Sequence, residues 1–285
     1  MPDRSVAWEG AAKLTLEGAG VRLKRGIDAS VADRFDPFLL FDDFSSDIPA
    51  HYLAGFPWHP HRGIETVTYI LDGAVRHRDS LGNEGSIGAG SVQWMTAGSG
   101  IIHEEMPESA HGIRGFQLWV NLPRAGKMAP PRYQDLTGAT IPAIALGREA
   151  SVRIIAGALE GVTGALEAIA GNPLYLDIAI TQNGTVHVPI PAGHTAFAYV
   201  VEGAIGMPRE EAVYPADRIL LFTRDGTHVS LAAGARGARI LLIAGAPLRE
   251  PIAWRGPIVM NTEQELLEAF RDLREGSFIK HRPDG

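Results

Sequence analysis

Cysteine is absent from the 285-residue chain, which removes disulfides, thiolate metal sites and cysteine nucleophiles together. Any metal must therefore be held by His, Asp or Glu. No apolar run approaches the roughly 18 residues of a membrane-spanning helix, so insertion in a membrane is not expected. The opening segment MPDRSVAWEG lacks a basic stretch followed by an apolar one, and a cytoplasmic location is the default expectation. Basic charge is also short: the formal net charge is -7, with no basic run interleaved with aromatics, so direct nucleic-acid binding is not expected. GxGxxG, phosphate-binding and GxSxG stretches in the right context are missing too, which leaves nucleotide hydrolysis and serine-hydrolase chemistry little support.

Glycine and proline are abundant, with 33 Gly and 19 Pro, and they punctuate short apolar alternating runs. That pattern predicts an all-β chain of many strands joined by tight turns. The length favours two domains of roughly 140 residues each over one. Short strands fill the stretch from Ala12 to Gly126. Lys127 to Ala143 carries three prolines and little periodicity, so it reads as a linker, dividing the chain into residues 1–135 and 136–285. Strands then resume until NTEQELLEAFRDLREG, whose Leu266, Leu267, Phe270 and Leu273 fall at helical spacing. Thr262 with Glu265 predicts a capping box and Gly276 a left-handed stop.

The halves resemble diverged copies. Setting Val200–Gly203 over Ile70–Gly73 places His59 on Pro189, His61 on Pro191 and Glu65 on Thr195. A second overlay sets Asp217–Gly226 on Gly90–Ser99, with no counterpart to His103 and Glu105. The second copy is thus expected to lack the histidines of the first.

Those histidines carry the chemistry. Side chains at i and i+2 of a strand share a face, so His59 with His61, and His103 with Glu105, can converge on one ion. Three imidazoles and a carboxylate suit a divalent first-row metal and leave up to two octahedral positions open. A lone His-x-His is often chance. Here Gly63 follows in a turn, Glu65 stands four residues beyond His61, and the second pair follows two glycine-rich turns. Phe56, Trp58, Trp94 and Met95 flank the ligands as core or pocket lining. His77 and Asp79 read as surface or turn residues. His111, His187, His194, His228 and His281 have no partner at ligand spacing.

The pattern G-x3-H-x-H-x3-E resembles the first cupin motif, and the later glycine turn with its histidine resembles the second. HPHRGIETVTYILDG, HRDSLGNEGSIGAGSVQWMTAGSGIIHEEMPE, GFQLWVNLP and APLREPIAWRGPIVMNTEQELLEAF resemble, in order, segments of the pirin family. The resemblance implies a bicupin: two antiparallel β-barrels, the N-terminal one holding a mononuclear iron, the C-terminal one metal-free and ending in a helix. It puts the ligands at His59, His61, His103 and Glu105, whereas the general cupin pattern would use Glu65, which is left as a group orienting an imidazole. Fe(II) is implied, although the set would accept nickel, cobalt, copper, manganese or zinc. A flavonol-cleaving dioxygenase of the quercetin 2,3-dioxygenase type is the implied activity, with flavonol and O2 as partners and Glu105 as the candidate base. The alternative implied by the family is a metal- or redox-dependent regulator that binds a transcription factor or a metabolic enzyme.

Overall fold

The protein is described by a computed structural model covering residues 3–166, 169–208 and 210–281. Its strands begin with β1 (Val6–Ala11), β2 (Lys13–Glu17), β3 (Val21–Ile27), β4 (Phe38–Asp43), β5 (Phe56–His61), β6 (Ile64–Asp72) and β7 (Ala74–Asp79). Next come β8 (Glu84–Gly88), β9 (Val92–Thr96), β10 (Ile101–Pro107), β11 (Arg114–Asn121), β12 (Arg132–Leu136), β13 (Ala143–Leu146) and β14 (Ala150–Ala156). A small hairpin, β15 (Ala158–Leu159) and β16 (Val162–Thr163), precedes β17 (Leu174–Ile180), β18 (Thr185–Pro189) and β19 (Thr195–Gly206). The series closes with β20 (Val213–Pro215), β21 (Arg218–Phe222), β22 (His228–Gly245), β23 (Ala253–Arg255) and β24 (Ile258–Met260).

The chain forms two compact units, and it does not divide at one point. The first unit takes Leu14–Ala32, Phe38–Ala139 and everything from Leu248 on; the second takes the segment up to Lys13, Asp33–Pro37 and Thr140–Pro247. The expected cut at 135/136 misses this exchange of terminal segments because pairing partners distant in sequence leave no local signal. The Lys127–Ala143 stretch is also more ordered than a linker: β12 pairs with β9 from Arg132 to Leu136, and Lys127 is buried.

In the first unit a seven-stranded antiparallel sheet, β12-β9-β6-β11-β4-β3-β2, is joined by a four-stranded one, β5-β10-β7-β8. The second unit repeats the order as β1-β21-β19-β22-β17-β14-β13, with β18 on β22 and β20 on β19. The register repeats as well. Thr68 pairs with Gln93 and Gln117, and Ala198 pairs with Leu220 and Leu242, as the overlay of the two copies requires.

The C-terminal helix spans Glu263–Glu275 and starts as its sequence predicts. Thr262 accepts from the Glu265 backbone N–H, the Glu265 side chain accepts in return, and Gly276 closes the helix at φ 71°. Leu266 and Ala269 are buried on it, while Leu267 faces solvent. No helix is long and apolar enough to cross a membrane among the described residues.

Candidate metal centre

β5 and β10 pair antiparallel with His59 opposite His103, so the two doublets face each other across one ladder. The donor atoms of His59, His61 and His103 all lie within 4.8 Å of one another. Their anchoring leaves lone pairs free. His59 Nδ1–H donates to Pro57 O at 2.9 Å and His61 Nδ1–H to Pro257 O at 3.2 Å, which fixes the tautomer that exposes Nε2. Burial, reinforced by neighbouring imidazoles, holds His61 and His103 well below the ordinary range, and burial lowers His59, so all three are neutral donors. His103 is 1% exposed and both its ring nitrogens lack a hydrogen-bond partner. Such a ring is costly to bury unless something else meets its lone pair. A divalent ion at the convergence would do so, and the donor set fits one.

Glu105 stands beside the triad, not within it: the cluster within 4.8 Å comprises only the histidines. Its carboxylate is buried, accepts from Thr68 Oγ1 at 2.8 Å, and lines the same cavity as His59 and His61. Burial pushes its carboxyl up to about 7, against the Thr68 hydroxyl. A bound dication would favour the ionised form. Glu65, the other candidate, is 1% exposed on β6 and accepts from Thr96 Oγ1 at 2.8 Å, and it does not line the cavity.

The C-terminal segment braces this centre. Pro257 supplies the carbonyl that orients His61, and Val259 N–H donates to Arg62 O at 3.0 Å. Arg62, 2% exposed, donates to Ser99 O at 2.6 Å, Asp272 Oδ2 at 2.7 Å and Phe278 O at 2.8 Å, with its guanidinium 4.2 Å from the Phe278 ring centre. Lys127 Nζ ties Gly63 O (2.9 Å), Asn121 Oδ1 (2.7 Å) and Val259 O (3.0 Å) together. Burial pushes that ammonium down to about 8, with Glu250 and Glu265 opposing. Gly63, at φ 78°, is required here because a Cβ would lie 1.9 Å from Val259 O.

Above the imidazoles opens a cavity of about 790 Å³. Trp119 meets the His61 ring edge-on at 5.1 Å, and Trp254 packs on Trp119 at 6.0 Å. Phe44 and Phe56 form another apolar wall, while Gln117, Asp42 and Arg25 line a polar one.

The structure thus gathers His59, His61 and His103 and sets Glu105 next to them. His77 and Asp79, expected as surface or turn residues, are both buried: His77 stacks on Tyr133 at 5.7 Å and receives Gln93 Nε2–H at 2.8 Å, while Asp79 does serve its turn, accepting from the Leu81 and Asn83 backbone. Of the flanking aromatics, Phe56 lines the cavity, whereas Trp58 is half exposed and Trp94 is core. Arg62 and Lys127 were missed. Arg62 directly follows His61 in the HPHRG stretch, and a charged residue in the turn after a histidine-bearing strand was the available signal.

The second unit shows what fills the equivalent positions. Val75 pairs with Pro107 and Ile205 with Ala233, which sets Val229 at the place of His103 and Leu231 at that of Glu105. Val188 then pairs with Val229 as His59 does with His103, and Ile190 follows at the place of His61. The overlay onto Pro189 and Pro191 is therefore off by one residue. All four positions hold buried aliphatics of one core cluster.

The family model described as Pirin matches residues 20–120, and the one described as Pirin C-terminal cupin domain matches residues 175–279. The "Putative quercetin 2,3-dioxygenase PA3240" of Pseudomonas aeruginosa is 45% identical over 265 residues, spanning 91% of this chain and 93% of that protein. The "Pirin-like protein" of Caulobacter vibrioides is 43% identical over 280 residues, spanning 98% of this chain and all 100% of its own. A crystal structure of quercetin 2,3-dioxygenase from Acinetobacter baumannii superposes with a TM-score of 0.89 at 33% identity, covering 97% of this chain and 99% of the other. Both barrels are of the cupin type.

Proposed function

Since the chain belongs to the pirin family, we propose that it is a metal-dependent dioxygenase that cleaves flavonols with O2, of the quercetin 2,3-dioxygenase type. The observation that carries this reading is a buried His103 ring with no hydrogen-bond partner, facing His59 and His61 in the wall of an aromatic-lined cavity. His59, His61, His103 and Glu105 would hold the metal, Fe(II) by family resemblance, in the first unit alone. A divalent metal held there would supply Lewis acidity toward the enol oxygen and carbonyl of a flavonol.

The protein's own groups do the rest. Glu105, oriented by Thr68, takes the proton of the substrate enol hydroxyl at a carboxylate oxygen. Trp119 and Trp254 pack the flat ring system and keep water from the reacting face.

The test is anaerobic reconstitution with Fe(II), elemental analysis, and O2 consumption with quercetin. Wild type is expected to bind one metal and consume O2, and His61→Ala to do neither. Glu105→Gln with metal retained is expected to lower turnover by at least a hundredfold. Metal bound without O2 uptake would move the reading to a metal-dependent regulator of a protein partner. Absence of metal in the reconstituted protein would remove both readings.

A further inference from the structure

The polar wall of the cavity is a single row. Directly opposed residues of a sheet share a face, and the pairs Thr68–Gln117, Gln117–Asp42 and Asp42–Arg25 carry one line of inward side chains from β6 across β11 and β4 to β3. Thr68 binds Glu105 at one end. With strands about 4.8 Å apart, Asp42 stands about 10 Å and Arg25 about 14 Å from Thr68 along the row. Apolar side chains flank this row, Trp119 and Leu40 along one edge and Phe44 and Leu23 along the other. The slot therefore fits a flat aromatic body with polar groups at both ends.

We infer that Asp42 and Arg25 are the specificity-determining pair of the site proposed above, anchoring the neutral hydroxyl groups at the far end of a flavonol whose enol end lies against Glu105. The inference rests on the flavonol reading and adds to it the residues that read the distal end. Arg25 grips Asp42 through Nε (2.8 Å) and Nη2 (2.7 Å) and reaches Glu17 through Nη1 (2.7 Å). Three of its five N–H donors are engaged and each Asp42 oxygen keeps a lone pair, so the pair can donate and accept at once. A phenolic hydroxyl asks for that combination. Burial pushes the Asp42 carboxyl up to about 6, and the two-pronged Arg25 fork opposes it by favouring the carboxylate. The charged lining of that end, Glu17, Asp28 and Asp42 against Arg25, disfavours carboxylate or phosphate there.

Binding to anaerobic Fe(II)-loaded protein, measured by calorimetry, separates the possibilities. Quercetin is compared with 3-hydroxyflavone, which keeps the enol and carbonyl end and lacks every other hydroxyl. Wild type is expected to prefer quercetin by about tenfold or more, the scale of a hydrogen bond to a charged group. Asp42→Asn and Arg25→Lys, checked for folding by circular dichroism and for metal by elemental analysis, should bring the preference to within about twofold by weakening quercetin alone. An undiminished preference in both metal-loaded variants overturns the assignment, as does the absence of any preference in wild type. If wild type binds neither flavonol, the flavonol reading fails and takes the assignment with it, an outcome distinct from the other two.

Discussion

The same row of five strands carries opposite chemistry in the two units. In the first it reads Gln93, Thr68, Gln117, Asp42 and Arg25; in the second, at the same registers, it reads Leu220, Ala198, Leu242, Leu176 and Ile154. The five residues of the second row belong to one core cluster, which also contains Val188, Ile190, Val229 and Leu231 from the places of His59, His61, His103 and Glu105. The backbone framework is therefore neutral toward function. What separates a site from a core is whether the inward side chains close the barrel with aliphatic contacts or leave space lined by groups that need partners. The second unit gains contiguous apolar burial; in the first, Leu23 and Phe44 of the cavity wall pack in a smaller cluster.

The largest effect expected from crossing this divide is at the metal. His103→Leu puts in the first unit the kind of side chain that the second holds, so metal content by elemental analysis should fall from one per chain to background. The apo protein should not lose stability, since a ring with two unpartnered nitrogens gives way to an apolar group of similar size. A melt shifted down by several degrees would mean that His103 is instead a satisfied core residue.

A second break targets the brace on the first unit. Arg62→Met leaves Ser99 O and Phe278 O without their buried donor and the Asp272 carboxylate without Arg62, although Lys280 still reaches Asp272 at 2.8 Å. The expected cost is about 3 kcal/mol in denaturant unfolding. Metal affinity should drop with it, because the turn between β23 and β24 that carries Pro257 is what orients His61. A loss below about 0.5 kcal/mol would show that the C-terminal segment docks without Arg62.

The pairing of His59 with His61 was legible because i, i+2 spacing puts both on one face, whereas Glu105 stands beside the triad across a register shift after His103; the helix was legible because its caps are local. The polar row was not. In β6, Val67 and Tyr69 alternate with Thr66 and Thr68, a pattern that normally sends the threonines to solvent; here both faces are buried. Gln117 hides in the same way between Phe116 and Leu118. Nor could sequence reveal that a carbonyl 196 residues away orients His61, or that β1 takes in the second sheet the edge place that β12 takes in the first. Such facts live in long-range pairing, which no local period encodes.

The smallest effect is the sharpest test of the comparison: moving part of the polar row into the second unit. Leu242→Gln alone buries an amide in an aliphatic core and should cost about 3 kcal/mol. Ala198→Thr alone adds volume and a hydroxyl at a fully buried position and should also destabilise. Ala198 and Leu242 are paired as Thr68 and Gln117 are, and the first-unit pair is in contact at 2.9 Å. The double variant should therefore be less destabilised than the sum of its singles by about 1 kcal/mol, read from a double-mutant cycle in urea. A coupling of zero would mean that the two barrels share register but differ in the finer placement of side chains, so the polarity of the row would not by itself account for the site.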